Sequence, residues 1–152
     1  MEIGIISDTH GIVTPFALEA LSGVDRILHA GDIGSPEVLE ILQRLAPTDA
    51  IRGNTDGDGW SENLAMTEMV DVGHTTFYLV HDLQALDLDP KSAGIQVVIH
   101  GHTHRSALKT HDGVLFFNPG SASYARHGEP LSVGRIAIID GRIVPRIIAL
   151  DR

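Results

Sequence analysis

The sequence predicts an α/β fold in which two packed β-sheets carry helices on their outer faces. Three observations point there. Five short apolar runs recur along the chain, each of the length of a buried strand. In the first third these runs alternate with helix signals, the pattern of a parallel sheet. In the last third further apolar runs are separated instead by Asp-Gly pairs, the chemistry of tight hairpins.

The elements follow in order. Ile3-Gly4-Ile5-Ile6 is the first strand. Thr14-Pro15 starts a helix, with a capping hydroxyl before a proline at the first helical position, and Leu18 and Leu21 give it an apolar side. Arg26-Ile27-Leu28-His29 is the second strand. Ser35-Pro36 starts a second helix, whose stripe is Val38, Leu39, Leu42 and Leu45 and which Pro47 ends. Asp49-Ala50-Ile51 is the third strand. Residues 65–80 predict two strands joined near Gly73-His74, and the polar stretch from Asp82 to Gly94 a short helix. Gln96-Val97-Val98-Ile99 is a further strand. Asp112-Gly113 and Asp140-Gly141 each join two apolar runs into an antiparallel hairpin. There is no repeat, low-complexity tract or linker, so residues 1–152 are expected to form a single domain.

A net charge of −9 weighs against nucleic acid as a partner held by the overall field, and a small phosphate ester remains compatible, because bound cations reverse the local sign. With no cysteine, any metal must be held by His, Asp, Asn, Glu, backbone or water. No apolar run approaches the roughly 18 residues of a membrane span, and the opening Met1-Glu2-Ile3 has no leader character, so a cytoplasmic protein without membrane contact is expected.

The five apolar runs up to Ile99 share one further property. Each stops at residues able to ligate a metal: Asp8 and His10, Asp32, Asn54, His81, and His102 with His104. Parallel strands present their ligands in the crevice beyond their carboxyl ends, so these groups can converge. Asp8-Thr9-His10 and His102-Thr103-His104 have i, i+2 spacing, which in extended backbone turns both side chains to one side. Gly31, Gly53 and Gly101 precede ligand positions, where the chain must turn sharply or approach closely. Asn54, Asp56 and Asp58 imitate the start of a calcium loop, but its twelfth position is Ala65 where a bidentate Glu is needed.

In this order, Asp8-Thr9-His10, Gly31-Asp32, Gly53-Asn54, His81 and Gly101-His102-Thr103-His104 resemble the motifs of the calcineurin-like metallophosphoesterases. Ile5-Ile6-Ser7-Asp8-Thr9-His10-Gly11 and Asn118-Pro119-Gly120-Ser121 are similar to the small prokaryotic phosphodiesterase subfamily. The resemblance implies a four-layer α/β/β/α sandwich and two divalent metal ions, with manganese foremost and iron, zinc, nickel or cobalt as alternatives. It puts Asp8, His10 and His104 on one ion, Asn54, His81 and His102 on the other, and Asp32 between them. It implies phosphodiester or phosphomonoester hydrolysis by a metal-bridging hydroxide, diesters first, and a homodimer is common in the subfamily. Some relatives keep the fold as a scaffold for protein partners, which is the alternative function. Two departures stand out. Thr55 occupies the position where the wider family often carries a histidine near the leaving group, and Asp82 follows His81 where glycine is usual. Asp32, Asn54 and Asp56 are the expected catalytic residues, Asp56 by orienting a ligand or water, and Asn54 and Arg126 are expected to contact substrate phosphate. His29 and His100, beside ligands but outside the motifs, are expected either to support a ligand from behind or to be buried and hydrogen-bonded, rather than to ligate directly.

Overall fold

A computed structural model describes residues 1–57 and 59–150, so Asp58 of the calcium-loop imitation lies outside the described residues, as do Asp151 and Arg152. Among the described residues ten strands and two α-helices follow one another: β1 Glu2–Ile6, α1 Pro15–Ala20, β2 Arg26–His29, α2 Pro36–Leu45, β3 Thr48–Ala50, β4 Thr67–Val72, β5 Thr75–Val80, β6 Val97–Ile99, β7 Ala107–His111, β8 Val114–Asn118, β9 Ser132–Ile139 and β10 Arg142–Ala149. No helix among the described residues is long and apolar enough to cross a membrane.

The strands form two five-stranded sheets, ordered β10-β9-β1-β2-β3 and β4-β5-β6-β8-β7. In the first, β1, β2 and β3 are parallel and β9 runs antiparallel to β1. In the second, β5, β6 and β8 are parallel, while β4 and β7 close the edges as antiparallel partners. The expected antiparallel half is therefore divided. The hairpin β7-β8 stays in the second sheet and β9-β10 returns to the first, so both sheets are mixed.

Side-chain alternation explains the packing. Ile3 and Ile5 of β1 face Phe77, Leu79, Val97, Ile99 and Phe117 across the space between the sheets. Ile6 and Ile27 point the other way, into a core completed by Ala17, Leu21, Val38 and Leu42 around the two helices. Each of the buried Val, Leu, Ile and Phe side chains contributes about 1.5–3 kcal/mol. Leu45 departs from the expected stripe of α2, since it is 38% exposed and Ala46 is buried in its place.

The outer face of the second sheet carries no α-helix among the described residues. From Asp82 the chain makes a single 3₁₀ turn, Leu83–Ala85, whose N-cap is the Asp82 carboxylate, accepting from the Gln84 N–H at 3.0 Å. Leu83, Leu86 and Leu88 cover Tyr78, Val80 and Val98. The turns behave as their residues dictate. Asp112-Gly113 and Asp140-Gly141 both have positive φ at both residues, as a type I′ hairpin requires.

Candidate metal centre

The loops beyond β1 and β2, and those beyond β5 and β6, are stitched together by backbone hydrogen bonds, and side-chain bonds of Asp8, Asp32, Asp56 and His81 draw these pairs and the loop after β3 to one point. Ala30 N–H donates to Ile6 O, Asp8 N–H to Gly31 O and His10 N–H to Asp32 O, each at 3.0 Å. Gly101 N–H donates to His81 O at 2.9 Å. Gly101 has no room for a side chain, because a Cβ there would meet Ser7 Oγ and the Asp8 carboxylate.

The backbone at the ligands is not extended, contrary to the i, i+2 reading. Asp8, His10, Asp32, His102 and His104 have φ of 55°, 47°, 54°, 72° and 62°. Asp and His tolerate the left-handed region better than most side chains, yet five such residues at one place is strain held by the surrounding hydrogen bonds. Ser121 Oγ donates to Asp8 O at 2.8 Å, and Ser123 Oγ to Thr9 O.

Asp8 is fully buried. Its Oδ2 accepts from Ser7 Oγ at 2.7 Å and from the His102 N–H at 3.1 Å. Its Oδ1 has no hydrogen-bond partner and faces His104 Nε2 at 3.3 Å, with His10 Nε2 and His81 Nε2 each at 3.9 Å. Asp32 Oδ1 accepts from the Thr55 N–H at 2.9 Å, and its Oδ2 lies 3.2 Å from His81 Nε2 and 3.9 Å from His10 Nε2. Two ligand-sized groups result, Asp8-His10-His104 and Asp8-Asp32-His81. The first is the expected set for one ion. In the second the buried Asp8 joins Asp32 and His81.

The remaining two expected ligands stand beside this cluster. His102 Nδ1 and Asn54 Oδ1 are 3.1 Å apart, and the His102 ring packs edge-on to His81 at 5.3 Å between centroids. His102 Nε2 is 3.8 Å from the Asp82 carboxylate.

The tautomers are set by what each other ring nitrogen touches. His81 Nδ1 contacts Ala30 O at 2.7 Å and His104 Nδ1 contacts Tyr124 O at 3.0 Å. A carbonyl only accepts, so both Nδ1 atoms carry protons and both Nε2 lone pairs point into the cluster. His81 Nε2 is buried there without a hydrogen bond, as is Asp8 Oδ1. Two buried acceptors facing one another are costly unless a cation lies between them. That all-N/O donor set fits a divalent metal ion.

The electrostatics agree. Burial raises the Asp8 carboxyl above the usual carboxylate range. Burial also works against Asp32, but the His81 imidazole and the Thr55 N–H hold it well below that range. Burial lowers His81, but the Asp32 and Asp8 carboxylates outweigh it and raise the imidazole above its ordinary value. The point between the carboxylates thus favours positive charge. Burial lowers His104.

Other predicted residues have different surroundings. The Asp56 carboxylate is buried and accepts from three backbone N–H groups, those of Ile33 (3.1 Å), Gly34 (2.9 Å) and Gly53 (2.9 Å). It pins the loop carrying Asp32 to the loop carrying Asn54, so any influence on a ligand passes through backbone. Arg126 is exposed, with its guanidinium 5.4 Å from the centroid of the Tyr124 ring. His29 is fully buried: its Nδ1 accepts from the Gly31 N–H at 3.1 Å and its Nε2 lies 3.0 Å from Thr9 Oγ1. Burial pushes its imidazole down to about 3, and that of His100 down to about 4.

Tyr124 was not singled out by the sequence. Its ring stands edge-on to His10 and His104, at 5.6 and 5.5 Å between centroids, and its carbonyl orients His104. A lone tyrosine after a serine-rich turn gives no periodic or motif signal that could have found it.

Comparison with known proteins finds sequence relatives and structural neighbours. The sequence profile of the calcineurin-like phosphoesterase superfamily domain matches residues 1–141. A probable metallophosphoesterase of Methanothermobacter thermautotrophicus is 35% identical over 141 residues, covering 86% of this chain and 82% of that protein. The solved structure of an archaeal phosphodiesterase is 28% identical, with a TM-score of 0.79, covering 97% of this chain and 100% of that one. The structure of Vps29 from Entamoeba histolytica in complex with zinc is 23% identical, with a TM-score of 0.75, covering 98% and 99%, and shares the fold.

Proposed function

The chain belongs to the calcineurin-like phosphoesterase superfamily, and on that premise we propose that it is a phosphodiester hydrolase working with two divalent metal ions. The observation that carries this reading is the pair of buried acceptors without partners, Asp8 Oδ1 and His81 Nε2, inside a ring of carboxylates and imidazoles. Asp8, His10 and His104 would hold one ion, and Asp32 and His81, with Asn54 and His102 beside them, the other. When bound, such ions supply a hydroxide near neutral pH and polarise the phosphoryl oxygens. Manganese is the ion we expect first.

The chain's own residues do the rest. The carbonyls of Ala30 and Tyr124 fix the two buried imidazoles with Nε2 inward, and at His81 a metal ion would replace the proton that the Asp32 and Asp8 carboxylates favour. Asn54, exposed at the rim, and the Arg126 guanidinium are the groups proposed to meet the anionic phosphoryl oxygens. The residue after Asn54 is Thr55, which holds Asp32 through its N–H and whose hydroxyl is far too weak an acid to protonate a departing alkoxide at neutral pH. Esters with good leaving groups, diesters above all, should be turned over best.

The test is hydrolysis of bis(p-nitrophenyl) phosphate with added manganese, repeated with chelator and with Asp32→Ala. We expect activity that needs metal and falls at least about a hundredfold in the variant. Metal uptake without hydrolysis of any mono- or diester would instead support a scaffold role for the same fold.

A further inference from the structure

The outer face of the second sheet is only half covered. The segment beginning at Asp82 lies over β5 and β6 and shares a cluster with Val114 and Phe116 of β8, while every residue of β7 beyond it is exposed. Register puts Lys109 beside Phe116 and Ala107 beside Asn118 on that face. The result is a groove of about 500 Å³, bounded by Leu83, His100, Arg105, Lys109, Phe116 and Asn118. That is the size of pockets that take small organic molecules.

The lining is unusual for a chain of net charge −9, since it contains two cations and no carboxylate. The described ion pairs of basic side chains are Arg26–Asp49 and Arg135–Glu2, so neither Arg105 nor Lys109 is paired among the described residues. Arg105 uses only its backbone N–H, which donates to Thr103 Oγ1 at 3.2 Å. His100 is the most buried titratable residue of the lining. Its side chain lines the groove, it is only 8% exposed, and its Nδ1 is buried without a partner. Phe116, partly buried, offers an apolar surface opposite the cations.

We infer that this groove binds a small organic anion with a flat or apolar body. The body would lie against Phe116 and Leu83, and the anionic group would sit between Arg105 and Lys109. The site is distinct from the metal centre but backs onto it. Asn118 lines the groove, and its Nδ2 donates to Gly101 O at 3.0 Å and Thr103 Oγ1 at 3.1 Å, on the very segment that carries His102 and His104.

Naphthalene-1-sulfonate is a suitable probe, because it has the required shape and charge and no ester to hydrolyse. Calorimetric titration into the full-length, metal-loaded protein should show saturable binding of about one equivalent. Replacing the exposed pair, Arg105→Gln with Lys109→Gln, should weaken it at least tenfold, and Phe116→Ala should weaken it as well. A control pair on other exposed basic residues, Arg44→Gln with Lys91→Gln, should leave the affinity unchanged. No saturable binding, equal affinity in the Arg105/Lys109 variant, or an equal loss in the control pair would overturn the inference. Binding that survives in the groove variant and vanishes in Asp32→Ala would place the anion at the metal centre and overturn it too. None of these outcomes depends on whether the protein hydrolyses an ester.

Discussion

Single residues here owe their environment to partners far away in the chain, and two of them make this measurable. Asp56 accepts three backbone N–H donors from two different loops. Asp56→Ala would leave those buried donors unpaired, so we expect a loss of about 3 kcal/mol in urea unfolding and weaker metal binding through the shifted loops. Asp56→Asn, which keeps one acceptor oxygen, should recover part of both. His29 makes the second case. Its folded value of about 3 lies below the ordinary 6.5, so below pH 6.5 the unfolded chain takes up a proton that the folded chain refuses. Stability from this residue is therefore complete above pH 6.5 and is lost as the pH falls toward 3 and below, by roughly 5 kcal/mol in all. The check is NMR of the His29 ring, which should remain neutral at pH 5 while the urea midpoint has already dropped. A ring titrating near 6.5 would contradict this. The burial of His29 was expected from its place beside a ligand but outside the motifs. The three amides around Asp56 were not, because two of them lie more than 20 residues away.

At the scale of elements, local signals and long-range pairing had different fates. Thr14 caps α1 by accepting from the Ala17 N–H at 3.2 Å, and the Asp-Gly hairpins form as their residues demand. Those features depend on a few adjacent residues, and adjacent residues were enough to read them. The stretch from Asp82 to Gly94 became one 3₁₀ turn rather than a helix, because Asp82 caps at once and the chain then spends its leucines on the outer face of the sheet. The loop elements of the metal centre depend on close approach. Gly101→Ala would drive a methyl group into Ser7 Oγ and Asp8 Oδ2. We expect it to cost about 2–3 kcal/mol in stability and to weaken metal binding roughly tenfold or more, measured by denaturation and metal titration. An unchanged metal affinity would show that the β6 loop has slack the packing does not suggest.

For the whole molecule, the metal centre sets folding and function against each other. Asp8 is fully buried with one oxygen unpartnered, beside the Asp32 carboxylate, so the metal-free protein carries an electrostatic cost that an ion would relieve. Metal at a hundred times its Kd should add about 2.7 kcal/mol of stability, raising Tm by roughly 5–10 °C. Asp8→Asn should do the reverse, with a metal-free protein at least as stable as the parent and almost no response to metal. A metal-free variant less stable than the parent would mean that the carboxylate's bonds to Ser7 and His102 outweigh its burial. Taken by itself, the sequence determined the kinds of element, the hairpin turns and the set of seven candidate ligands, because apolar periodicity, turn chemistry and short motifs are written within a few residues. Only the tertiary structure decided which ligands gather closely, that five of them sit in left-handed backbone, that Asp56 serves the loops, that Tyr124 braces two histidines, and that β9 and β10 rejoin the first sheet. Each of those depends on groups brought together from distant parts of the chain, and packing and hydrogen bonding choose among the arrangements that local sequence leaves open.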